Sequence, residues 1–442
     1  MRRRTKEFLT SIRSPGPAES GQNIATVIRY VSARGAISRA ASVALACVVA
    51  AVVVAAGVAT PAYADAIRDE QYQLRALDVA TAWQSANGAG VTVAVLDSGV
   101  DATHPDLAGQ VLPGADFVDG STDGRRDLVG HGTTVAALIA GRNDKSSGVA
   151  GIAPAAKILP VRVLDKQNKY DDATVVAAGL RWAVDHGATV VNMSLGGGTR
   201  SEALAEALTY AAQRDVVVIA CTGNVTAGAN YTEVWYPARE PGVVAVAGLV
   251  GTPASGAPAT GGTAAGGGSG GGADALWTGS LTGPPTVLTA PAVNLIGARP
   301  GGYWRVQGTS FAAPLVAGVA ALVRSRWPSL DTANVINRLI RTARDLGPPG
   351  RDDRYGYGEI NPVGALTASV PVIRRNPLVA LKEPPAVQRF SERVPPARAS
   401  DTGGVWVTPL RVMFSAAVGL ATFTLMLVAG LVAARRFIRP RA

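Results

Sequence analysis

Gly308-Thr309-Ser310-Phe311-Ala312-Ala313-Pro314, running into the small apolar stretch Leu315 to Val323, decides how this chain is read. A serine at the mouth of such a run has its hydroxyl held at a helix N-terminus, where unpaired N–H groups and the helix dipole favour developing negative charge. In isolation, glycine-threonine-serine is an ordinary helix cap. A nucleophilic serine also needs a base to take its proton and a third group to orient that base.

The chain upstream offers a candidate for each. Val91-Thr-Val-Ala-Val-Leu-Asp-Ser-Gly-Val100 reads as a buried parallel strand with Asp97 at its C-terminal lip, where open α/β sheets place their sites. Gly130-His-Gly-Thr-Thr-Val-Ala-Ala-Leu-Ile-Ala-Gly141 opens a helix of small side chains that can sit deep against its neighbours and fix His131. Only three histidines exist. His186 ends the helical pattern Asp172 to His186, where a cation suits the dipole and the following glycine suits the cap. His104 precedes a proline in a turn, a packing or loop position. His131 is therefore the base.

From Val91 onward the pattern alternates. Strands are expected near 91–96, 157–163, 189–193, 215–221 and 243–249, with helices near 131–141, 172–186 and 201–213 between them. Thr199-x-x-Glu202 reads as a capping box for the last of these helices. A further helix near 332–344 carries Val335, Ile336, Leu339 and Ile340 on one face. Alternation of this kind predicts a mostly parallel sheet covered by helices on both faces.

In the order Asp, His, Ser, the segments Asp97-Ser-Gly, His131-Gly-Thr and Gly308 to Pro314 resemble the catalytic signatures of the subtilisin-like serine proteases, the subtilases, over roughly Trp83 to Ala365. Three independent motifs in the right order are far more specific than any one of them. The resemblance implies a three-layer α/β fold and a catalytic Asp97, His131 and Ser310 acting on a polypeptide. It implies that Ser194, Leu195 and Gly196, in Asn192-Met-Ser-Leu-Gly-Gly197, line a cleft by pairing with the substrate backbone. It also makes Asn224, in Cys221-Thr-Gly-Asn224, the side-chain oxyanion donor, although a turn after the preceding strand would equally suit that asparagine. No cofactor and no metal is implied. Asp119 to Asp127 holds three aspartates, but Arg125 and Arg126 oppose a cation site there.

Charge is distributed unevenly along the 442 residues. Of 42 basic residues, eight fall in 1–40 and eleven in 371–442, leaving 23 against 27 acids between them. The net charge of +10 is thus a property of the tails, a topology signal and not a nucleic-acid footprint. Residues 1–64 read as leader and secretory signal: Ala41 to Thr60 is apolar, Arg29, Arg34 and Arg39 precede it, and Ala62-Tyr-Ala64 offers a cleavage site. The stretch could alternatively remain as an uncleaved signal anchor. Cleavage would remove Cys47 and leave Cys221 without a mate, as a small core thiol.

An arm, 65–82, is expected to lie along the surface of a protease domain at 83–370. Within that domain 251–274, almost wholly Gly, Ala, Thr, Ser and Pro, reads as a flexible loop. A Pro-rich linker follows at 371–409, then a transmembrane helix at 410–434, of which Val412 to Ala434 carry no charge, and a basic tail at 435–442. The arginines beyond that span place the tail in the cytoplasm and the protease domain outside. A signal, a short arm with Gln71-Tyr-Gln-Leu74, a subtilase domain, a Pro-rich linker and one C-terminal span resemble the mycosins, membrane-anchored subtilases of actinobacterial type VII secretion systems. This second resemblance implies the secretion membrane complex as a partner, with either a proteolytic or a structural role there. A generic exported subtilase is the other reading.

Overall fold

The structure, a computed structural model, describes residues 67–144, 148–225, 232–251 and 274–379. Seven strands form one sheet: β1 (Thr92–Asp97), β2 (Ala115–Asp116), β3 (Lys157–Arg162), β4 (Val190–Met193), β5 (Val217–Cys221), β6 (Val244–Leu249) and β7 (Leu288–Pro291). Their spatial order is β2-β3-β1-β4-β5-β6-β7, and every pairing is parallel. Nearly every residue from β3 to β7 is buried, because helices cover the sheet and alternation of apolar with polar residues has nothing to face.

The connection from β1 runs past β3 to β2 at the edge of the sheet. Helix α3 (His131–Ala140) returns the chain from β2 to β3, and α4 (Ala173–Asp185) and α5 (Glu202–Gln213) carry it from β3 through β4 to β5. Helix α4 packs on α5, while α3 packs on α6 (Thr309–Arg326). The last is buried on all sides from Phe311 to Arg324, as a helix of Ala, Val, Leu and Gly with no polar face must be. Helix α7 (Thr332–Arg341) buries the expected Val335, Ile336, Leu339 and Ile340, and α8 (Pro362–Thr367) follows it.

The expected strands and helices are present with shifts of one to three residues at their ends. Four further strands among the described residues were not expected: the two-residue β2, β7, and a hairpin of β8 (Leu295–Arg299) with β9 (Gly302–Val306). The capping expectation for α5 is corrected. Ser201, not Thr199, is its N-cap, with Oγ accepting from Leu204 N at 3.4 Å.

The N-terminal arm is anchored more deeply than a surface strap. In its helices α1 (Tyr72–Ala76) and α2 (Val79–Ala82), Tyr72 and Val79 are buried. Gln71 exchanges two hydrogen bonds with the backbone of Ala150, at 2.8 and 2.9 Å. Tyr72 donates to the carbonyl of Val293 at 2.7 Å. At the other end the chain stays on the domain past 370: Ile373 and Asn334 exchange hydrogen bonds of 2.8 and 2.9 Å, and Leu378 is fully buried. The base of the glycine-rich loop is held through Asp274, which accepts from Arg344 at 2.6 and 2.9 Å. The loop's interior, the apolar run 41–60 and the span expected at 410–434 lie outside the described residues. Among the described residues no helix is long and apolar enough to cross a membrane.

Candidate active site

Strands β1 and β4 are neighbours whose connections depart in opposite directions, which opens a crevice at their C-terminal ends. Asp97 is the last residue of β1 and fully buried. His131 opens α3 and turns its ring onto that carboxylate, with Nδ1 2.8 and 2.9 Å from the two Asp97 oxygens. An Nδ1–H donated to a carboxylate leaves Nε2 as the free, basic nitrogen.

The first turn of α3 is held by side chains outside it. Its N-cap, Gly130, supplies no capping side chain. Ser98 Oγ accepts from Gly132 N at 3.1 Å, and Asp127 accepts from Thr133 N at 2.9 Å and Thr133 Oγ1 at 2.6 Å. Asp127 also takes Val129 N, Gly130 N and Ser98 Oγ, at 2.9, 2.7 and 2.9 Å. Burial pushes the Asp127 carboxyl above the usual carboxylate range, against the opposing pull of these donors. The contact of α3 with β1 is so close that a Cβ on Gly132 would fall 2.1 Å from the carbonyl oxygen of Gly99 and 3.0 Å from Asp97 Cβ.

Protonation of His131 is governed by a contest. Burial disfavours the imidazolium, but the charge and hydrogen bond of Asp97, joined by the charge of Asp127, outweigh it, while Arg299 opposes them. The result is a His131 pKa above the ordinary value of 6.5.

Ser310 is the second residue of α6, and Phe311 beside it sets its ring 5.2 Å from that of His131. The Ser310 hydroxyl points toward Cys221 at the end of β5, with Oγ 3.9 Å from Sγ. Cys221 is free and buried, and burial pushes its thiol up to about 11. The structure therefore joins Asp97 to His131 directly and brings Ser310 alongside, with the serine hydroxyl engaged by the thiol.

Asn224 lies three residues beyond β5. Its Oδ1 accepts from Thr309 N at 3.0 Å and Thr309 Oγ1 at 2.9 Å. Two donors on Oδ1 fix which way the amide faces and leave Nδ2 to donate elsewhere. Gly308, at φ 142°, precedes the serine helix, and a Cβ there would stand 3.5 Å from that Nδ2.

The three expected cleft residues follow β4 directly. Leu195 is buried, and its carbonyl accepts from Cys221 Sγ at 3.8 Å; Gly196 is half-buried and backs onto the Tyr236 carbonyl. The Ser194 hydroxyl faces inward, donating to the carbonyl of Ser310 at 2.6 Å.

His186 and His104 serve as expected from their surroundings. His186 is the C-cap of α4, with Nδ1 2.7 Å from the Trp182 carbonyl, and His104 Nδ1 accepts from Asp106 N at 3.2 Å. Asp116 and Asp119 bind Arg162, at 2.7 and 3.0 Å, while Asp127 turns into the site. Among the described residues no cluster of three or more His, Cys, Asp and Glu side chains could hold a metal ion.

Sequence reasoning missed Ser98, Asp127, Asn192 and Thr309 as parts of this site. Asp127 precedes the N-cap position by three residues, so the usual signature of an acid next to the first helical turn is absent. Its separation from Thr133, bridged by a glycine-flanked histidine, was the available signal.

A parallel α/β sheet with an acid–imidazole pair at one strand end, and a serine on the first turn of a buried helix beside it, defines a serine-hydrolase type of site. The chain belongs to the subtilase family, peptidase S8, which it matches over residues 88–358. It is 36% identical to fervidolysin from Fervidobacterium pennivorans over 329 residues, which are 70% of this chain and 45% of that protein's length. Subtilisin from Bacillus pumilus is 37% identical over 279 residues, 63% of this chain and 91% of that protein. Among solved structures, MycP1 from the ESX-1 type VII secretion system aligns with a TM-score of 0.60 and 29% identity, covering 71% of this chain and 89% of that one.

Proposed function

We propose that this chain is a serine endopeptidase of the mycosin type, anchored in a membrane by residues 410–434, with its catalytic domain outside the cytoplasm. The observation that carries the peptidase reading is the direct bond of His131 Nδ1 to buried Asp97 beside a serine at the start of α6. Ser310 Oγ turns from Cys221 to His131 Nε2, loses its proton to that nitrogen and attacks the scissile carbonyl. Asp97 holds the ring and offsets the imidazolium charge. Asn224 Nδ2 and the Ser310 backbone N–H receive the oxyanion. His131 then protonates the leaving amine; water, deprotonated by the same nitrogen, attacks the acyl carbonyl, and that proton passes to Ser310 Oγ as the acyl–oxygen bond breaks. The half-buried backbone beyond β4 at Gly196 offers an edge for an extended peptide.

The mycosin assignment draws on the likeness to MycP1, on the arm embedded ahead of the domain and on the apolar run expected near the C-terminus. On this reading the partner is a type VII secretion membrane complex, with either a proteolytic or a structural contribution. One variant separates the two. Ser310→Ala should abolish peptide hydrolysis and labelling by a serine-directed phosphonate while the melting temperature is retained. Labelling at the wild-type rate would rule out Ser310 as the nucleophile. Secretion that survives Ser310→Ala but fails on deletion of the whole protein would assign the structural role.

A further inference from the structure

Pro314 is the sixth residue of α6, and its ring nitrogen carries no hydrogen. In an α-helix the N–H of residue 314 would bond to the carbonyl of residue 310. The proline therefore removes a donor from the carbonyl of Ser310 itself, inside a helix turn that is otherwise buried.

A side chain from the sheet supplies a replacement. Ser194 Oγ donates to Ser310 O at 2.6 Å, and the same oxygen accepts from Asn192 Nδ2 at 2.9 Å. The amide on its lone pair directs the hydroxyl proton to the carbonyl. Both side chains are buried, Asn192 completely and Ser194 to within 4%. Asn192 is on β4, paired with Val95 of β1, so the chain of bonds runs from the strand beside Asp97 to the peptide that follows Ser310. The peptide between Gly308 and Thr309, just upstream, is held separately, through Thr309 N donating to Asn224 Oδ1 at 3.0 Å.

We propose that Ser194 is a positioning residue for Ser310: its hydroxyl stands in for the helix donor that Pro314 removes and sets the backbone from which the nucleophile projects. Proline at 314 and serine at 194 are then a matched pair. Proline hands control of the Ser310 carbonyl from the helix to the sheet that also carries Asp97. The proposal rests on the serine peptidase reading above and assigns Ser194 a different task from contacting substrate.

A double-mutant cycle tests it, read by kcat and KM on a peptide substrate and by the rate of phosphonate labelling. Ser194→Ala should lower kcat and the labelling rate about tenfold, the worth of one buried hydrogen bond, with KM changed less than about twofold. Pro314→Ala restores a main-chain N–H, so the same Ser194→Ala change in that background should cost less than about threefold. Equal losses in the two backgrounds would overturn the proposal. So would a raised KM with labelling at the wild-type rate, which is the signature of a residue that binds substrate. If Ser194→Ala does not fold, Ser194→Thr and Ser194→Val, alike in shape and differing in the hydroxyl, make the same comparison, with only Thr expected to keep the wild-type rate. A wild-type protein that fails to label at all would instead sink the peptidase reading.

Discussion

At the scale of single residues, His131 shows how a buried base is kept useful. Burial alone would keep the ring neutral but weakly basic; Asp97 by contact and Asp127 by charge raise its affinity for a proton. A base works only when deprotonated, so kcat/KM should rise with pH through the pKa of the free enzyme, above the ordinary imidazole value of 6.5. Replacing Asp127 with Asn removes one charge that raises this pKa. The acidic limb of the kcat/KM profile should then move to lower pH, and kcat at the optimum should fall on the order of tenfold as the first turn of α3 loses one of its two acceptor oxygens. A limb that stays in place or moves upward would show that Asp127 acts on geometry alone. Asp97 and His131 were legible because each stands in its own recognisable stretch. Asp127 was not: its partners Ser98 and Thr133 lie 29 and 6 residues away, and only the fold reveals that they converge.

At the scale of elements, the site is made by strand ends and helix starts that nearly touch, and the spacing between them is set by missing side chains. At Gly132, α3 rests on the turn after β1 with no room for a methyl group. Gly132→Ala should cost about 1–3 kcal/mol, the usual penalty of overpacking, and lower the melting temperature by roughly 2–4 °C for each kcal/mol. Activity should fall further than stability, because Asp97 and the Gly99 carbonyl are the atoms displaced; a variant that melts at the wild-type temperature with full activity would refute the close contact. The strands β1 and β3 to β6 and the helices between them were readable from apolar runs and their punctuation. The four-residue β7, which ends in Pro291, and the β8–β9 hairpin, with its half-buried outer strand, carry too little periodic signal. Ser194 illustrates a different limit. Its place after β4 was readable, but where its hydroxyl points depends on Pro314, 120 residues later in the chain.

At the scale of the whole molecule, function depends on which compartment the crevice faces, and charge at the two ends of 410–434 bears on that. Arg435, Arg436, Arg439 and Arg441 follow the apolar run, against Arg411 on its other flank. Basic residues within about 15–20 positions of a span set its orientation, the richer side remaining in the cytoplasm. The last described residues, 371–379, stay bound to the protease domain, so under the anchored reading proposed above the domain and the start of the linker share one side of the membrane. A cysteine introduced at Ala442 should therefore resist a membrane-impermeant thiol reagent in intact cells, and one at Ser400 should react. The native background is quiet: Cys221 is buried with its thiol pushed up to about 11, and Cys47 would depart with the signal. Removing both, as Cys47→Ser and Cys221→Ala, leaves a single reporter in each variant. Reaction at 442 with protection at 400 would turn the enzyme inward and defeat both the signal-peptide reading and the mycosin assignment. Truncation before Val412 supplies the second arm: the shortened protein should leave the membrane fraction if the signal is cleaved after Ala64, whereas its retention there would mean that Ala41 to Thr60 persists as an anchor.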